Sequence, residues 1–446
     1  MYLNEEIRIF QNNRPKSKEL WERALKVLPG GISHNIRTFG LPLIGTFPIF
    51  ISSSNGPYLT DIDGNRYIDF WNGHFAMILG HNPPEIQKVI KEYLSYGWHF
   101  GTNTEYQVKL AETIIQGNQG IEKMRFCTSG TEATMYASRL ARAFTKRQLI
   151  AKAQLGWHGA NDTLYYDVGG IFGGEGPPGL PNAQKAGIIT FEINNEKVFD
   201  LIKQNSRNLA AIILEPVLGG GGGFPVEIEF LKRLREETEK YDIILIFDEI
   251  ITGYRFNYSL FQNETNIIPD LTTMGKIIGG GMPIGAIGGR KDIIEQSKPE
   301  VKNQVLIGGG TFSGYPLSMI AGLKTLEILK TSKQGYSRIN QEGNNLLKSL
   351  NQYFNDEKLP IIAKGYKSMI MLHAISKWIE KPSILEIIKY KDKKREALIQ
   401  LSLFNRKISG LHGLGSISMA HNHEHIIKVQ DVIEEIAQPV CKTIFS

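Results

Sequence analysis

One lysine, Lys276, lies within a stretch that is otherwise uncharged and rich in apolar residues and glycine, LTTMGKIIGGGMPIGA at residues 271–286. No acidic residue is adjacent to it, and the stretch lacks the glycine spacing of a phosphate-binding P-loop. Burial lowers the pKa of a lysine because an apolar environment disfavours the charged ammonium. A neutral amine can attack a carbonyl carbon and carry a proton. The stretch therefore raises the possibility of covalent catalysis by Lys276.

Polar residues also follow three other apolar runs that read as strands. In CTSGTEA (127–133) a strand leads into Ser129-Gly130-Thr131 and then a helix, whose N–H groups and positive end could bind an anion. Asp248 ends the strand in IFDEI, and Glu215 follows the strand in ILEP. A buried carboxylate needs a cationic partner. Helix caps and salt bridges are the alternative interpretation of these groups when each is taken alone.

A tryptophan completes the set of groups. Trp157, in GWHG, has a flat face that could cover an aromatic ring, although packing in the core is the commoner role. Together, an anion site, a strand-end carboxylate, an aromatic ring and a buried lysine match the needs of pyridoxal phosphate. Lys276 would form a Schiff base with its aldehyde, and Asp248 would keep its pyridine nitrogen protonated. The helix end would hold its phosphate.

The elements that must position these groups alternate between strands and helices. The strands, such as AAIILEP and DIILIFDEI, are continuous apolar runs, which is typical of strands buried on both faces. Strand–helix alternation of this kind predicts an α/β fold with a mostly parallel sheet covered by helices. Ligands of such sheets bind beyond the carboxyl ends of the strands, where the polar groups described above fall.

Composition narrows the class of protein. The 446 residues carry 51 basic and 45 acidic side chains, a slight excess, and no basic run with interleaved aromatics indicates nucleic-acid binding. No apolar run reaches the length of a membrane span, and the first residues lack the apolar segment of a signal peptide. Two distant cysteines, Cys127 and Cys441, make no disulfide framework. We therefore expect a cytoplasmic protein that binds neither membrane nor nucleic acid, with Cys127 in a packing role.

Several segments resemble a known family. TTMGKIIGGGMPIGAIGG, LIFDEIITGYR, SGTEATMYASRLAR, WHG, ILEPV and GTFSGYPLSMIAG are similar to the signatures of class III (subgroup II) aminotransferases of fold type I. Within that class, RALKVLPGGI, DIDGNRYIDF, MILGH and SISMAHNHEHI resemble the glutamate-1-semialdehyde 2,1-aminomutase branch. The resemblance covers roughly residues 17 to 430. It implies a large cofactor-binding domain at 71–320 and a smaller α+β domain built from residues 1–70 and 321–446.

The resemblance also implies roles around the cofactor. Lys276 is the Schiff-base lysine, Asp248 the partner of the pyridine nitrogen, and Ile250 packs beneath the ring that Trp157 covers from above. The phosphate is held by Ser129, Gly130 and Thr131.

Three further roles follow from the same resemblance. Thr311, in GGGTFSG, completes the phosphate site of the neighbouring subunit, which implies a homodimer. Arg37 binds the substrate carboxylate, with an ordinary surface arginine as the alternative. Glu215 lies near the cofactor in a role that the sequence leaves unspecified.

Three departures from the aminomutases concern the surroundings of the substrate. Gly73-His74-Phe75-Ala76 stands where they carry Ser-Trp-Gly-Pro, and Gly219–Gly223 stands where they carry an asparagine after the EPV strand. KISGLHGLGSISMAH (407–421) has a Gly-Leu-His-Gly-Leu pattern of its own. We therefore predict an aminotransferase acting on an amino compound with a carboxylate. The alternatives are an intramolecular aminomutase and, in another class, a non-catalytic sensor that binds the cofactor.

One motif has the residue types of a metal site. HNHEH contributes His421, His423, Glu424 and His425. The resemblance instead puts this segment at a corner between a strand and a helix, with Asn422 as the helix cap. We predict no metal here.

Overall fold

The computed structural model describes residues 1–168, 176–411 and 413–445, without the side chain of Gln184. The chain forms two compact units. One consists of Met1–Pro83 and Ser337–Ser446, and the other of Pro84–Tyr336. Of the sequence features discussed above, only His412 in the 407–421 segment lies outside the described residues.

The strands and helices alternate along most of the chain. The strands are β1 (Ile51–Asn55), β2 (Tyr58–Asp61), β3 (Arg66–Asp69), β4 (Lys123–Cys127), β5 (Leu149–Ala153), β6 (Ile188–Phe191), β7 (Leu209–Leu214), β8 (Val217–Leu218), β9 (Phe224–Pro225), β10 (Ile244–Asp248), β11 (Leu271–Gly275), β12 (Gly285–Gly289), β13 (Ile361–Tyr366), β14 (Met369–Ala374), β15 (Ile408–Ser409) and β16 (Gly415–Ser416). The helical segments are α1 (Tyr2–Asn12), α2 (Pro15–Val27), α3 (Asn72–Phe75), α4 (Pro84–Leu94), α5 (Glu105–Gly117), α6 (Gly130–Thr145), α7 (Ala183–Ala186), α8 (Lys197–Asn205), α9 (Ile228–Lys240), α10 (Phe261–Thr265), α11 (Lys291–Ile294), α12 (Pro316–Lys330), α13 (Lys333–Asp356), α14 (Ile384–Lys389), α15 (Lys393–Asn405) and α16 (His423–Lys442). The short segment α3 is a left-handed turn, in which four consecutive residues have positive φ.

The unit formed by Pro84–Tyr336 is built on a seven-stranded sheet of order β4-β12-β11-β10-β7-β5-β6. Strands β11, β10, β7, β5 and β6 are parallel to one another, whereas β12 is antiparallel to both of its neighbours. Every residue of β7, β10, β11 and β12 is buried. The prediction of a mostly parallel sheet with strands buried on both faces is thus confirmed.

Helix α6 covers one face of this sheet, and its sequence explains why. Small and apolar residues at helical spacing, among them Ala133, Ala137, Leu140 and Ala141, are buried against the strands. Ser129 caps the helix by accepting a hydrogen bond from the Glu132 N–H, and the Glu132 carboxylate accepts one from the Ser129 N–H. This capping box fixes where α6 begins, and therefore where β4 must turn.

The other unit contains two smaller sheets, of order β1-β2-β3-β15 and β13-β14-β16, flanked by helices. The predicted hairpin at Asp63-Gly64 is confirmed: β2 and β3 are antiparallel, and Gly64 has a φ of +89°. Asn422 caps α16 as predicted, since its side chain accepts a hydrogen bond from the His425 N–H. None of the helices in the described part of the chain is long and apolar enough to cross a membrane.

The boundaries between the two units fall after residues 83 and 336. The division into domains after residues 70 and 320 stays a prediction. His81 keeps the 71–83 segment in the first unit, because its ring lies 2.7 Å from the Asp69 carboxylate and its backbone bridges Gly56. Tyr93 of α4 packs instead against Leu317 of α12, in the second unit. No local sequence pattern indicates either the contacts of His81 or the contact of Tyr93 with Leu317.

Candidate active site

Three of the predicted residues lie at the carboxyl ends of adjacent strands in the sheet. Lys276 follows β11, Asp248 ends β10 and Glu215 follows β7, and these strands are parallel neighbours. Asp248 is paired in register with Thr273, three residues before the lysine. The charges of Asp248 and Glu215 both act on the Lys276 ammonium. An amine and two carboxyl groups therefore share one site at the carboxyl ends of the strands.

Lys276 stands at a strained turn. It begins the 3₁₀ turn Lys276–Gly279 with a φ of +48°, an uncommon conformation for a residue other than glycine. Burial lowers the pKa of its amine, and the nearby carboxylates oppose this effect only in part. More of the neutral amine is therefore present near neutral pH than for an exposed lysine, which favours nucleophilic and base chemistry.

Asp248 is almost completely buried and is held by three donors. Its Oδ1 accepts hydrogen bonds from the Ile250 N–H at 3.2 Å and from the Thr273 hydroxyl at 3.0 Å. Its Oδ2 lies 2.7 Å from Nδ1 of His158. These contacts fix the carboxylate in one orientation. A fixed orientation suits a charged group that stabilises a proton at one position on a ligand.

His158 is a site residue that the sequence analysis missed. It is fully buried, and desolvation lowers its pKa, although the hydrogen bond to Asp248 opposes that change. The two residues are 90 positions apart in the chain. The only sequence signal was its place beside Trp157 in the WHG motif, which does not identify a partner.

Glu215 joins two loops of the site. Its Oε1 accepts a hydrogen bond from the Trp157 N–H and its Oε2 accepts one from the Gly219 N–H, both at 2.9 Å. Burial raises the pKa of this carboxyl group, and the charge of Asp248 raises it further. Glu215 therefore contacts the backbone that carries Trp157, which is a specific contact that the sequence did not indicate.

Trp157 presents part of its ring to solvent. The side chain is 36% exposed, in contrast to the buried residues around it, and its ring meets that of Tyr165 edge-on at 5.4 Å. A tryptophan placed in the core would be more deeply buried. The exposed part of the indole is available for a contact with a ligand.

The turn before α6 retains donors for an anion. The carboxylate of Glu132 accepts the Thr128 and Ser129 N–H groups. Among the described residues, no acceptor lies at the N–H groups of Gly130 and Thr131. These two groups point from the positive end of a sixteen-residue helix, where an anion is stabilised.

Ile250 packs closely against this turn. A Cβ atom on Gly130 would lie 2.6 Å from Cδ1 of Ile250, and one on Gly275 would lie 3.4 Å from its Cγ2. Glycine is thus needed at position 130 for the turn to approach Ile250. The isoleucine side chain lies between the predicted phosphate turn and the strand that leads to Lys276.

The roles of two further residues, Thr311 and Arg37, stay predictions. Thr311 is exposed on a glycine-rich loop, next to Gly310, which approaches Thr128 of the same chain. Arg37 belongs to the first unit, where it lies exposed on the turn Asn35–Thr38 and makes no ion pair within the described residues.

The sheet, with a lysine at the end of one strand and a fixed carboxylate at the end of the next, defines a pyridoxal-phosphate-dependent enzyme fold. A model of class III aminotransferases matches residues 44–387, and the chain belongs to that family. Members of this family depend on pyridoxal phosphate. The site fits this cofactor, because it offers an amine, a buried carboxylate, an exposed aromatic face and unsatisfied N–H donors at a helix end.

Similar proteins fall into two groups. The glutamate-1-semialdehyde 2,1-aminomutase of Thermoplasma volcanium is 39% identical over 80% of this chain and 83% of its own length. Glutamate-1-semialdehyde 2,1-aminomutase 2 of Lachnoclostridium phytofermentans is 40% identical over 79% and 83%.

Among solved structures, an omega-transaminase from Sphaerobacter thermophilus has a TM-score of 0.84 at 29% identity, covering 95% of this chain and 97% of that one. A β-phenylalanine aminotransferase from Variovorax paradoxus has a TM-score of 0.87 at 27% identity, covering 98% and 97%. The family and the fold are therefore established. The similar proteins include both aminomutases and aminotransferases, and these two groups differ in the reaction that their names describe.

Proposed function

We propose that the protein is an aminotransferase that moves an amino group from an amino compound bearing a carboxylate to a separate carbonyl acceptor. The observation that carries this proposal is Lys276, an amine of lowered pKa at the same sheet edge as the fixed carboxylate of Asp248. Pyridoxal phosphate, when bound, supplies an electron sink for a carbanion at the substrate Cα.

The residues of the chain have distinct tasks in this reaction. Lys276 would anchor the cofactor through its Nζ. Once released, the same Nζ would take the proton from the substrate Cα and later give a proton back. Asp248 holds a proton at the pyridine nitrogen through the charge on its fixed carboxylate. Gly130 and Thr131 bind the phosphate through their N–H groups, and the exposed indole of Trp157 covers the ring.

Arg37 is proposed to bind the substrate carboxylate. Its exposed guanidinium has no acidic partner among the described residues, so its donors are available for a planar carboxylate. Burial lowers the pKa of the neighbouring His34, and the charge of Arg37 lowers it further.

The aminomutase remains the second candidate, because the relatives at 39–40% identity carry that name. Two segments favour transfer to a separate acceptor. The turn Gly219–Gly223 has no side chains with which to hold an intermediate beside Trp157, and Gly73–Ala76 differs in sequence from the Ser-Trp-Gly-Pro of the aminomutases. Looser retention of the intermediate would let it leave, as transamination requires.

The deciding experiment supplies amino donors one at a time without any acceptor. A transaminase should convert its bound cofactor stoichiometrically to the aminated form and then stop, until a carbonyl compound is added. An aminomutase should turn over many times on its single correct substrate. Repeated turnover of one amino aldehyde would establish the aminomutase instead. A protein that binds the cofactor but converts it with no donor would be a sensor.

A homodimer is part of the proposal. The loop that carries Thr311 lies within a patch of exposed apolar side chains in the same unit, made up of Tyr96, Trp98, Phe100, Leu306 and Phe312. The rings of His99 and Phe312 lie 5.1 Å apart, so the two segments of the patch are in contact. Exposed patches of this kind are typical of protein interfaces. A second copy of the chain would cover them and bring its Thr311 to the partner's phosphate site.

Complementation between two inactive variants tests this arrangement. Lys276→Ala and Thr311→Glu are coexpressed with different tags, and the hybrid dimers are assayed. If Thr311 acts across the interface, each hybrid has one intact site, and the purified hybrids recover about half of the wild-type activity. If Thr311 serves its own chain, both sites of the hybrid are defective and no activity returns. A monomer by light scattering would also refute the arrangement.

A further inference from the structure

The turn Gly219–Gly223, which joins β8 and β9, packs too closely against its surroundings to accept side chains. A Cβ atom on Gly219 would overlap Cδ1 of Ile251, and one on Gly221 would lie 2.7 Å from the carbonyl oxygen of Leu155. A Cβ atom on Gly220 would lie 2.9 Å from Cβ and 3.5 Å from Cγ of Trp157. The distance of 2.9 Å between the two Cβ atoms is shorter than Cβ contacts in real proteins. It involves the base of the tryptophan side chain, which cannot move away without moving the backbone.

Glu215 binds the same two segments from the other side. Its carboxylate accepts hydrogen bonds from the Trp157 N–H and the Gly219 N–H, each at 2.9 Å, and it is almost completely buried. The backbone of Trp157 is therefore tied to the glycine turn, while its Cβ rests directly on Gly220. A side chain at 220 could be accommodated only by moving the tryptophan or the turn, and Glu215 restrains both.

We propose that Glu215 and Gly220 are positioning residues that together fix the indole of Trp157. Glu215 sets the distance between the two loops, and Gly220 leaves the space that the base of the tryptophan occupies. This inference rests on the proposed role of Trp157 as the cover of the cofactor ring. It follows that a side chain at position 220 and the observed placement of Trp157 exclude each other. The glycine turn then leaves the room that the base of Trp157 occupies, and is not merely a loss of polar contacts.

The test uses the full-length protein and the variants Gly220→Ala and Glu215→Gln. Gly117→Ala is the matched control in the same unit, because its new Cβ would meet no atom closer than 4.0 Å. Two quantities are measured: the affinity of the apoprotein for pyridoxal phosphate, and the circular dichroism of the bound cofactor band. Both variants should bind the cofactor about fivefold more weakly, as expected for a misplaced aromatic contact, and should show an altered dichroic band. The control should stay within about twofold of wild type, as ordinary surface changes do.

A double-mutant cycle separates positioning from a general structural effect. If Gly220 acts through the indole, Gly220→Ala should weaken cofactor binding no further in a Trp157→Ala background. Additive effects would overturn the proposal, as would wild-type affinity and dichroism in Gly220→Ala. If Gly220→Ala does not fold, Glu215→Gln carries the same cycle. Failure of the wild-type protein to attach the cofactor at Lys276, detected by borohydride trapping, would refute the proposed function instead.

Discussion

Replacing Asp248 with asparagine removes one negative charge and almost no volume. The carboxylate accepts hydrogen bonds from the Ile250 N–H and the Thr273 hydroxyl and contacts His158, and asparagine can keep the first two through its carbonyl oxygen. The contact with His158 is retained if the ring exposes an unprotonated nitrogen to the new amide, as its lowered pKa allows. The loss of folding free energy should therefore be small, about 1 kcal/mol, as for one altered hydrogen bond.

The effect on catalysis should be much larger than the effect on folding. Without the carboxylate, nothing at this position holds the proton on the pyridine nitrogen, and the charge that develops in the transition state loses its preorganised partner. The removal of such a group typically costs about 10²–10³ in kcat. Steady-state kinetics with a saturating donor and acceptor measure this loss, and urea unfolding of the apoprotein measures the stability.

Asp270→Asn is the matched control. Asp270 is also a buried carboxylate, but it precedes β11 at the opposite end of the strand, where it binds Arg235 and Arg290 at 2.9 Å each. Its replacement should destabilise the fold by about 3 kcal/mol, since two cations lose a buried partner, and should leave kcat within about tenfold of wild type. Activity of Asp248→Asn within tenfold of wild type, or equal losses of kcat in both variants, would refute the role given to Asp248.

Three other changes test separate parts of the site. Lys276→Ala should retain cofactor through the phosphate turn but lose turnover and borohydride trapping, because no amine is left to anchor it; normal turnover would disprove the assignment. Arg37→Lys should reduce kcat/KM for carboxylated donors by about tenfold or more, since an ammonium cannot form the bidentate contact, and should affect simple amines little; equal losses on both would indicate a structural role. Lys152 is fully buried and burial lowers its pKa to about 8, from 10.5 when unfolded. Between these values the unfolded state binds more protons, so the lysine makes the free energy of unfolding rise with pH above about 8. Urea unfolding should show this free energy gaining about 2 kcal/mol more between pH 7.5 and 9.5 in wild type than in Lys152→Met, and parallel profiles would contradict it.

The sequence alone was enough to predict the family and the α/β fold, because their signals are local. Asp248 closes an uninterrupted apolar run, and runs of this kind are typical of strands buried on both faces. Lys276 follows a short strand that contains two threonines, and it leads into a glycine-rich turn. The hairpin at Gly64 and the cap at Asn422 likewise depend on a few adjacent residues with specific backbone preferences. Residues of this kind carry their structural information within a single turn or strand.

Only the tertiary structure decided which side chains meet. His158 reaches Asp248 across 90 residues, and Glu215 contacts both Trp157 and Gly219 because β5 and β7 are neighbours in the sheet. No local pattern encodes these distances, which depend on strand order and register. The boundaries of the two units depend on the tertiary structure for the same reason, since a helix joins the unit on which it packs. The close approach of Gly220 to Trp157 likewise depends on two loops that meet only after the sheet has formed.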